Sequence, residues 1–270
     1  MSYRDSRNAA GLSGRRAALH ALCAAAAATS ALGLCLEDAT AATGDYMQPD
    51  AHRLRALANR LAALPRRRNF KALPMVITDP NQWDGAALDV LMAYDAPRQV
   101  FDTTRLGGSW VNQMRNTVNV QVFSLQRPDF LCVGAPHGAA ALALFSQAAW
   151  DKYKLAALAG GAFQDNAFLR DPDFPASDVG TPANADGLYS HAGNSVATLQ
   201  KRGVLFLGCH NAIWEVAATL LTAGVNPDRQ SHEELAADLT NNLASGAIVT
   251  PGIEATIGRL QEAGFVYSYA

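Results

Sequence analysis

Cysteine, charge and long apolar runs are all scarce in this chain. Of 270 residues only four are cysteine, and two of them, Cys23 and Cys35, fall within the first 41 positions. The remainder keeps Cys132 and Cys209 alone, which excludes a disulfide framework. Charged residues make up 17% against 49% hydrophobic, enough apolar material for one large or two modest globular domains with a substantial core. The formal net charge of −2 leaves no basic excess, so no strong attraction to nucleic acid or to an anionic membrane is implied.

One long apolar run is present, AALHALCAAAAATSALGLCL from Ala17 to Leu36, preceded by Arg4, Arg7, Arg15 and Arg16. The tract Ala39, Thr40, Ala41 offers an A-x-A cleavage site, so residues 1–41 read as an export signal removed by cleavage, in preference to a retained anchor. The Arg15 and Arg16 pair favours a twin-arginine signal over a Sec signal, although the usual bulky residues after the pair are missing. Cys35 follows Leu34 where a lipoprotein signal needs a small residue, which disfavours lipidation. Taking the four arginines and three acids of this segment from totals of 22 and 24 leaves 18 basic and 21 acidic residues, a net charge of −3. A periplasmic or secreted protein follows, with no nucleic-acid partner and no membrane contact after cleavage.

Residues 42–97 form an N-terminal extension. Within it AHRLRALANRLAAL places Leu54, Leu57, Leu61 and Leu64 at helical spacing, with Pro65 as the stop. The basic residues Arg53, Arg55, Arg60, Arg66, Arg67, Arg68 and Lys71 read as a solvated face. A short apolar run, PMVIT, and a helical stretch, GAALDVLMAY, complete the extension.

From Arg98 onward strands alternate with helices, the pattern of a three-layer α/β domain built on an open, mostly parallel sheet of about five strands. The strands are expected at 99–103, 129–134, 203–208, 247–250 and 265–269. A helix is expected from Trp110 to Leu125, and an alanine-rich one after the turn at Pro136, His137 and Gly138, reaching to about Trp150. Residues 159–194, rich in Gly, Pro, Asp and Asn, read as a long insertion, either a lid or subunit contact or a disordered excursion.

Ligands of open parallel sheets bind beyond the carboxyl ends of the strands, where helix N-termini point inward. Asp102 stands at the end of the first strand, where the candidate ligand-binding residues Thr103, Arg105, Gly107, Gly108 and Ser109 follow, with Gly138 after the second. Asn211 follows the third, and Pro251 and Gly252 the fourth. Candidate chemical groups are Cys209, His137 and His210. Cys209 stands where a strand runs into a helix, so unpaired helix N–H groups favour its thiolate; the competing reading is a small apolar cap on a core strand. His137 either polarises a ligand or the thiol, or simply occupies a turn. Asn211 either orients the loop or caps the helix, and Ser109 suits an N-cap. The Gly107–Gly108 turn lacks the spacing of a nucleotide-binding loop. Cys209, His137 and His210 are suitable types for a soft metal, but their spacing is no metal signature; a Cys–His hydrolase would lack its nucleophile elbow. No metal or cofactor is therefore expected.

Three stretches, DFLCVGAPHGAAAL, KRGVLFLGCHNA and IVTPGIEATIGRLQEAGFVYSYA, together with QVFDTT, resemble the DsrE/DsrF-like family of small α/β proteins linked to sulfur oxidation and sulfur relay. The resemblance covers residues 98–150 and 195–270. It implies a flavodoxin-like sheet, homo-oligomers such as trimers or hexamers, and a cysteine, here Cys209, that carries persulfide sulfur in the relay members. In flavodoxin-like order the first strand separates the second from the third, so a Cys132–Cys209 disulfide is not expected. The expected function is an exported carrier or binder of sulfur species, partnered by a small sulfur compound or a thiol-bearing protein. Its class alternative is a non-catalytic oligomeric module holding a small ligand or metal. The export segment, the extension and the insertion depart from the family pattern.

Overall fold

Successive side chains of β2 (Leu131–Pro136) enter two different apolar clusters, and that alternation sets the architecture. Leu131, Val133 and Ala135 belong to one cluster and Cys132 to the other, as the period of two dictates. β1 (Arg98–Thr103) and β3 (Leu205–Cys209) behave in the same way: Val100, Leu205, Leu207 and Cys209 face one side, Phe101 and Phe206 the opposite one. A sheet apolar on both faces must be covered on both, which makes three layers.

The structure, a computed structural model, describes residues 46–270, so the expected export segment and its two cysteines lie outside the described residues. β4 (Ile248–Thr250) and β5 (Val266–Tyr269) complete a five-stranded, all-parallel sheet in the order β4-β3-β2-β1-β5. The order differs from the flavodoxin-like 2-1-3-4-5. β2 and β3 are direct neighbours, Val133 opposite Leu205, rather than separated by β1. Cys132 and Cys209 are nonetheless both free, because they point to opposite faces.

One face carries α1 (His52–Ala62), α2 (Gly85–Met92) and α9 (Ile253–Glu262). The leucine spacing of α1 buries Leu54, Leu57 and Leu61, and Asp129 caps its start from across the chain, accepting from the backbone N of Arg53 and Leu54 at 2.7 and 3.1 Å. The opposite face carries α3 (Trp110–Asn119), α4 (Gln147–Tyr153), α5 (Leu155–Leu158), α6 (Val196–Lys201), α7 (His210–Thr222) and α8 (His232–Asn241).

Several expectations need correction. The basic run is not uniformly solvated: Arg68 pairs with the buried Asp84 at 2.7 Å, and Arg66 donates to Gly246 O, with burial lowering its pKa. The helix from Trp110 ends as regular α structure at Asn119 and continues as a π turn, Val120–Ser124. The alanine-rich helix is broken in two. Gly138–Leu144 is a 3-10 segment, then Phe145 bridges Leu243, and the Ser146 hydroxyl starts α4 by accepting from Ala149 N at 3.2 Å. The insertion is hydrogen-bonded to the domain: Asn166 donates to Ala143 O and Phe145 O, and Phe168 stacks on Trp110.

Gly134 is the one strand glycine that packing demands. A Cβ there would stand 2.7 Å from the Phe206 ring and 3.0 Å from Met114 Cε, both fully buried. Gly134→Ala is expected to destabilise by ~1–3 kcal/mol through overpacking, read as a lower urea midpoint.

Candidate functional site

The strand order reverses between β1 and β5, the kind of point at which ligands of open α/β sheets bind. The register places Tyr267 opposite Val100 and Tyr269 opposite Asp102, on one face. Asp102 thereby gathers partners from distant parts of the chain. Its Oδ1 is 2.8 Å from His137 Nε2, and its Oδ2 accepts from Tyr267 Oη at 2.8 Å. His137 Nδ1 faces Glu254 Oε1 at 3.3 Å, in the first turn of α9. Thr104 Oγ1 and Tyr269 Oη lie 3.3 Å apart beside them. Asp102 and His137 are 15% and 12% exposed at their side chains, whereas Glu254 is 70% exposed. The cluster therefore grades from covered to open.

His137 is held by its backbone too, its N–H reaching Thr103 O at 2.9 Å, and Gly138 follows at φ +54°, a left-handed position over Thr104 that suits glycine. A neutral imidazole has a single N–H, so only the doubly protonated ring donates to both carboxylates. Asp102 raises the pKa of Tyr267, mainly through their hydrogen bond. Asp102→Asn removes the negative charge, so Tyr267 is expected to ionise at lower pH, followed by tyrosinate absorbance in alkaline titration. An unchanged tyrosinate profile would mean that the two side chains are not bonded in solution.

Cys209 ends β3 and serves as the N-cap of α7, accepting from Ala212 N at Sγ over 3.4 Å. It is only 2% exposed and belongs to the apolar cluster under α9. Burial raises its pKa, and the negative charge of Glu254 adds to the rise; the N–H groups of Ala212, Ile253 and Asn211 oppose it without prevailing. Of the two readings of this junction, the surroundings match the small apolar cap: the thiol is covered and its pKa is raised. His210 does not assist it with charge. Its ring is fully buried, Nε2 lies 2.8 Å from Pro74 O, Nδ1 has no partner, and burial lowers its pKa, so it stays neutral.

The other candidates divide. Thr103 is buried with Oγ1 unpartnered, and Arg105, Gly107, Gly108 and Ser109 are exposed in the loop before α3. Ser109 makes no helix cap; its hydroxyl accepts from Gln113 Nε2 at 2.7 Å. Asn211 is exposed, does not cap α7, and lies against Gly252, the N-cap of α9, with Pro251 just before. Glu254, Tyr267 and Tyr269 stand outside the expected residues, and they join the site through Asp102 and its neighbours at the end of β1. No group of His, Cys, Asp and Glu among the described residues has the arrangement of a metal site. Comparison with family models, with curated proteins and with solved structures finds no match to this chain.

Proposed function

We propose that the protein is an exported, oligomeric DsrE-like binding module that takes a small ligand at the carboxyl ends of β1, β2 and β5. The observation that carries this reading is Asp102, which engages His137 with one oxygen and Tyr267 with the other at the point where the strand order reverses. Two carboxylates, an imidazole and two phenols offer acceptors and aromatic faces, which suits a ligand bearing N–H or O–H donors or positive charge rather than an anion. Native mass spectrometry and thermal midpoints against amines, divalent metal ions and sulfane-sulfur donors test it. A ligand that raises the midpoint of the unaltered chain is expected to lose its effect in Asp102→Asn and His137→Ala and to keep it in Cys209→Ser. Equal responses in all three variants would remove this mouth from the account.

Sulfur carriage by Cys209 is the second reading, favoured by one feature: N–H groups at the starts of α7 and α9 converge on its sulfur. The thiolate would attack a sulfane sulfur of a polysulfide donor, form a persulfide, and release the rest of the donor as a thiolate; a partner thiol would then remove the sulfur by exchange. Incubation with polysulfide should then add the mass of one sulfur atom, reversibly and not in Cys209→Ser. A chain that gains no sulfur rules this reading out.

A further inference from the structure

The two edges of the sheet differ in how their backbone groups are used. At β4 the N-terminal extension closes the edge: Asp84 N donates to Val249 O at 3.0 Å, Asp84 Oδ2 accepts from Val249 N at 2.7 Å, and Arg68 and Arg66 donate to Ala247 O and Gly246 O. β5 pairs with β1 alone, and among the described residues no strand lies beyond it. Ala270 N donates to Asp102 O at 2.9 Å, so by strand alternation Ser268 also turns its N–H and C=O toward β1, while those of Tyr267 and Tyr269 point outward. An edge of this kind is a template for another strand.

The side chains of β5 are equally uncovered. Val266, Tyr267 and Tyr269 are 63%, 41% and 57% exposed, and they account for three of the seven large hydrophobic side chains left exposed among the described residues. Apolar surface gathered on one short strand marks a contact site. The devices that ordinarily blunt an edge are missing as well. From Gly264 to Ala270 there is no charged residue and no proline, and the register on β1 runs without a bulge.

We propose that β5 pairs antiparallel with β5 of a second copy of this chain across a two-fold axis, joining the two sheets into one. The free backbone groups set the register. Phe265 N is spent on Leu260 O, so full use of the outward groups places Tyr267 of each copy opposite Tyr269 of the other, with Ser268 facing Ser268 on the axis. Each opposed tyrosine pair then exchanges two N–H···O bonds, and no outward group of Tyr267 or Tyr269 is left over. The opposed rings also form cross-strand aromatic pairs. Charge and pattern select a second copy as the occupant. A charged edge would meet its own like charge across the axis, whereas this one is neutral along its length, and the run Tyr267, Ser268, Tyr269 is the same in both directions, as a two-fold contact requires. The contact reaches the site. Tyr267 Oη bonds Asp102 and Tyr269 Oη lies beside Thr104, so each copy sets its Tyr269 as a wall next to the other's Asp102–His137 mouth. The inference rests on the oligomeric reading proposed above and supplies its surface.

Sedimentation of the full chain without added ligand tests it together with cysteine cross-linking. The unaltered chain is expected to sediment as an even number of copies at micromolar concentration. Ser268→Cys should form an intermolecular disulfide on mild oxidation, located by peptide mass between the two substituted positions, because residues opposed on the axis form a non-hydrogen-bonded pair with Cα atoms ~4.5 Å apart, within disulfide reach. Val266→Cys should not, since four residues of strand separate the two equivalent positions by ~13 Å. Ser268→Lys sets two ammonium groups face to face and should halve the sedimenting mass with far-ultraviolet circular dichroism unchanged. That substitution also removes the bond from Gln99 Nε2 to Ser268 Oγ, so if it fails to fold the two cysteine variants still decide. A monomeric unaltered chain overturns this inference and the oligomeric reading together. An oligomer that Ser268→Cys does not cross-link, or that both cysteine variants cross-link equally, overturns this inference alone, as does a folded Ser268→Lys chain of undiminished mass. Ligand binding at the mouth is decided separately, by the Asp102→Asn comparison.

Discussion

Replacing Asp84 by alanine is expected to destabilise the protein by ~3–5 kcal/mol, a large share of the stability of a single domain. Its side chain is 4% exposed and accepts from both terminal nitrogens of Arg68, at 2.7 and 3.3 Å. The same carboxylate accepts from Val249 N at 2.7 Å, while Asp84 N donates to Val249 O at 3.0 Å. Arg68 in turn donates to Ala247 O at 2.8 Å. This knot holds the segment before α2 against β4, an edge strand of three residues with little ladder of its own. Alanine leaves the Arg68 charge and the Val249 N–H unpaired together. Urea unfolding measures the effect as a lower midpoint at constant slope, with Asp84→Asn costing less because it can still accept from Val249. A change within about 0.5 kcal/mol, the size expected at a surface position, would show that the ion pair does not form.

Trp110→Ala is expected to cost a similar ~3–5 kcal/mol and to loosen the insertion. Trp110 is 0% exposed and starts α3. Phe168 of the insertion stacks on it at 5.6 Å, and Phe206 of β3 meets it edge-on at 6.2 Å. One ring therefore joins the sheet core to residues 159–194. Limited proteolysis distinguishes this coupling from plain loss of core: cleavage inside 159–194 should accelerate under conditions where the sheet stays folded. Insertion sites that remain protected in the variant would place the anchor elsewhere, for instance at Asn166 and its bonds to Ala143 O and Phe145 O.

The five strands were legible because β-rich apolar runs ended at glycine, proline or polar turns, and each lies within a few residues of its expected position. Their order was not legible. It depends on the face and direction each crossover takes, and the runs around Cys132 and Phe206 carry no mark of their neighbours. The break at Phe145 also escaped pattern reading, since Gly138–Leu144 is as apolar and alanine-rich as a buried helix. At the site, His137 was found from its turn, whereas Tyr267 was not grouped with Asp102. The two are 165 positions apart and meet only through the β1–β5 register. Cys209 was located at the right junction, the end of a strand and the start of a helix. The sequence left thiolate and small apolar cap both open there, because the layer of Ala212, Ile248 and Ile253 with which Cys209 clusters is assembled from separate segments.

On the proposed reading, the chemistry of the strand ends resides in the Asp102–His137–Tyr267 group, over a thiol at Cys209 that is covered and neutral. Alkylation of the native chain by iodoacetamide, mapped by peptide mass across a pH series, addresses it directly. Cys209 is expected to stay unmodified near neutral pH and to react freely once the chain is unfolded in urea. Rapid stoichiometric labelling of native Cys209 at neutral pH would contradict it.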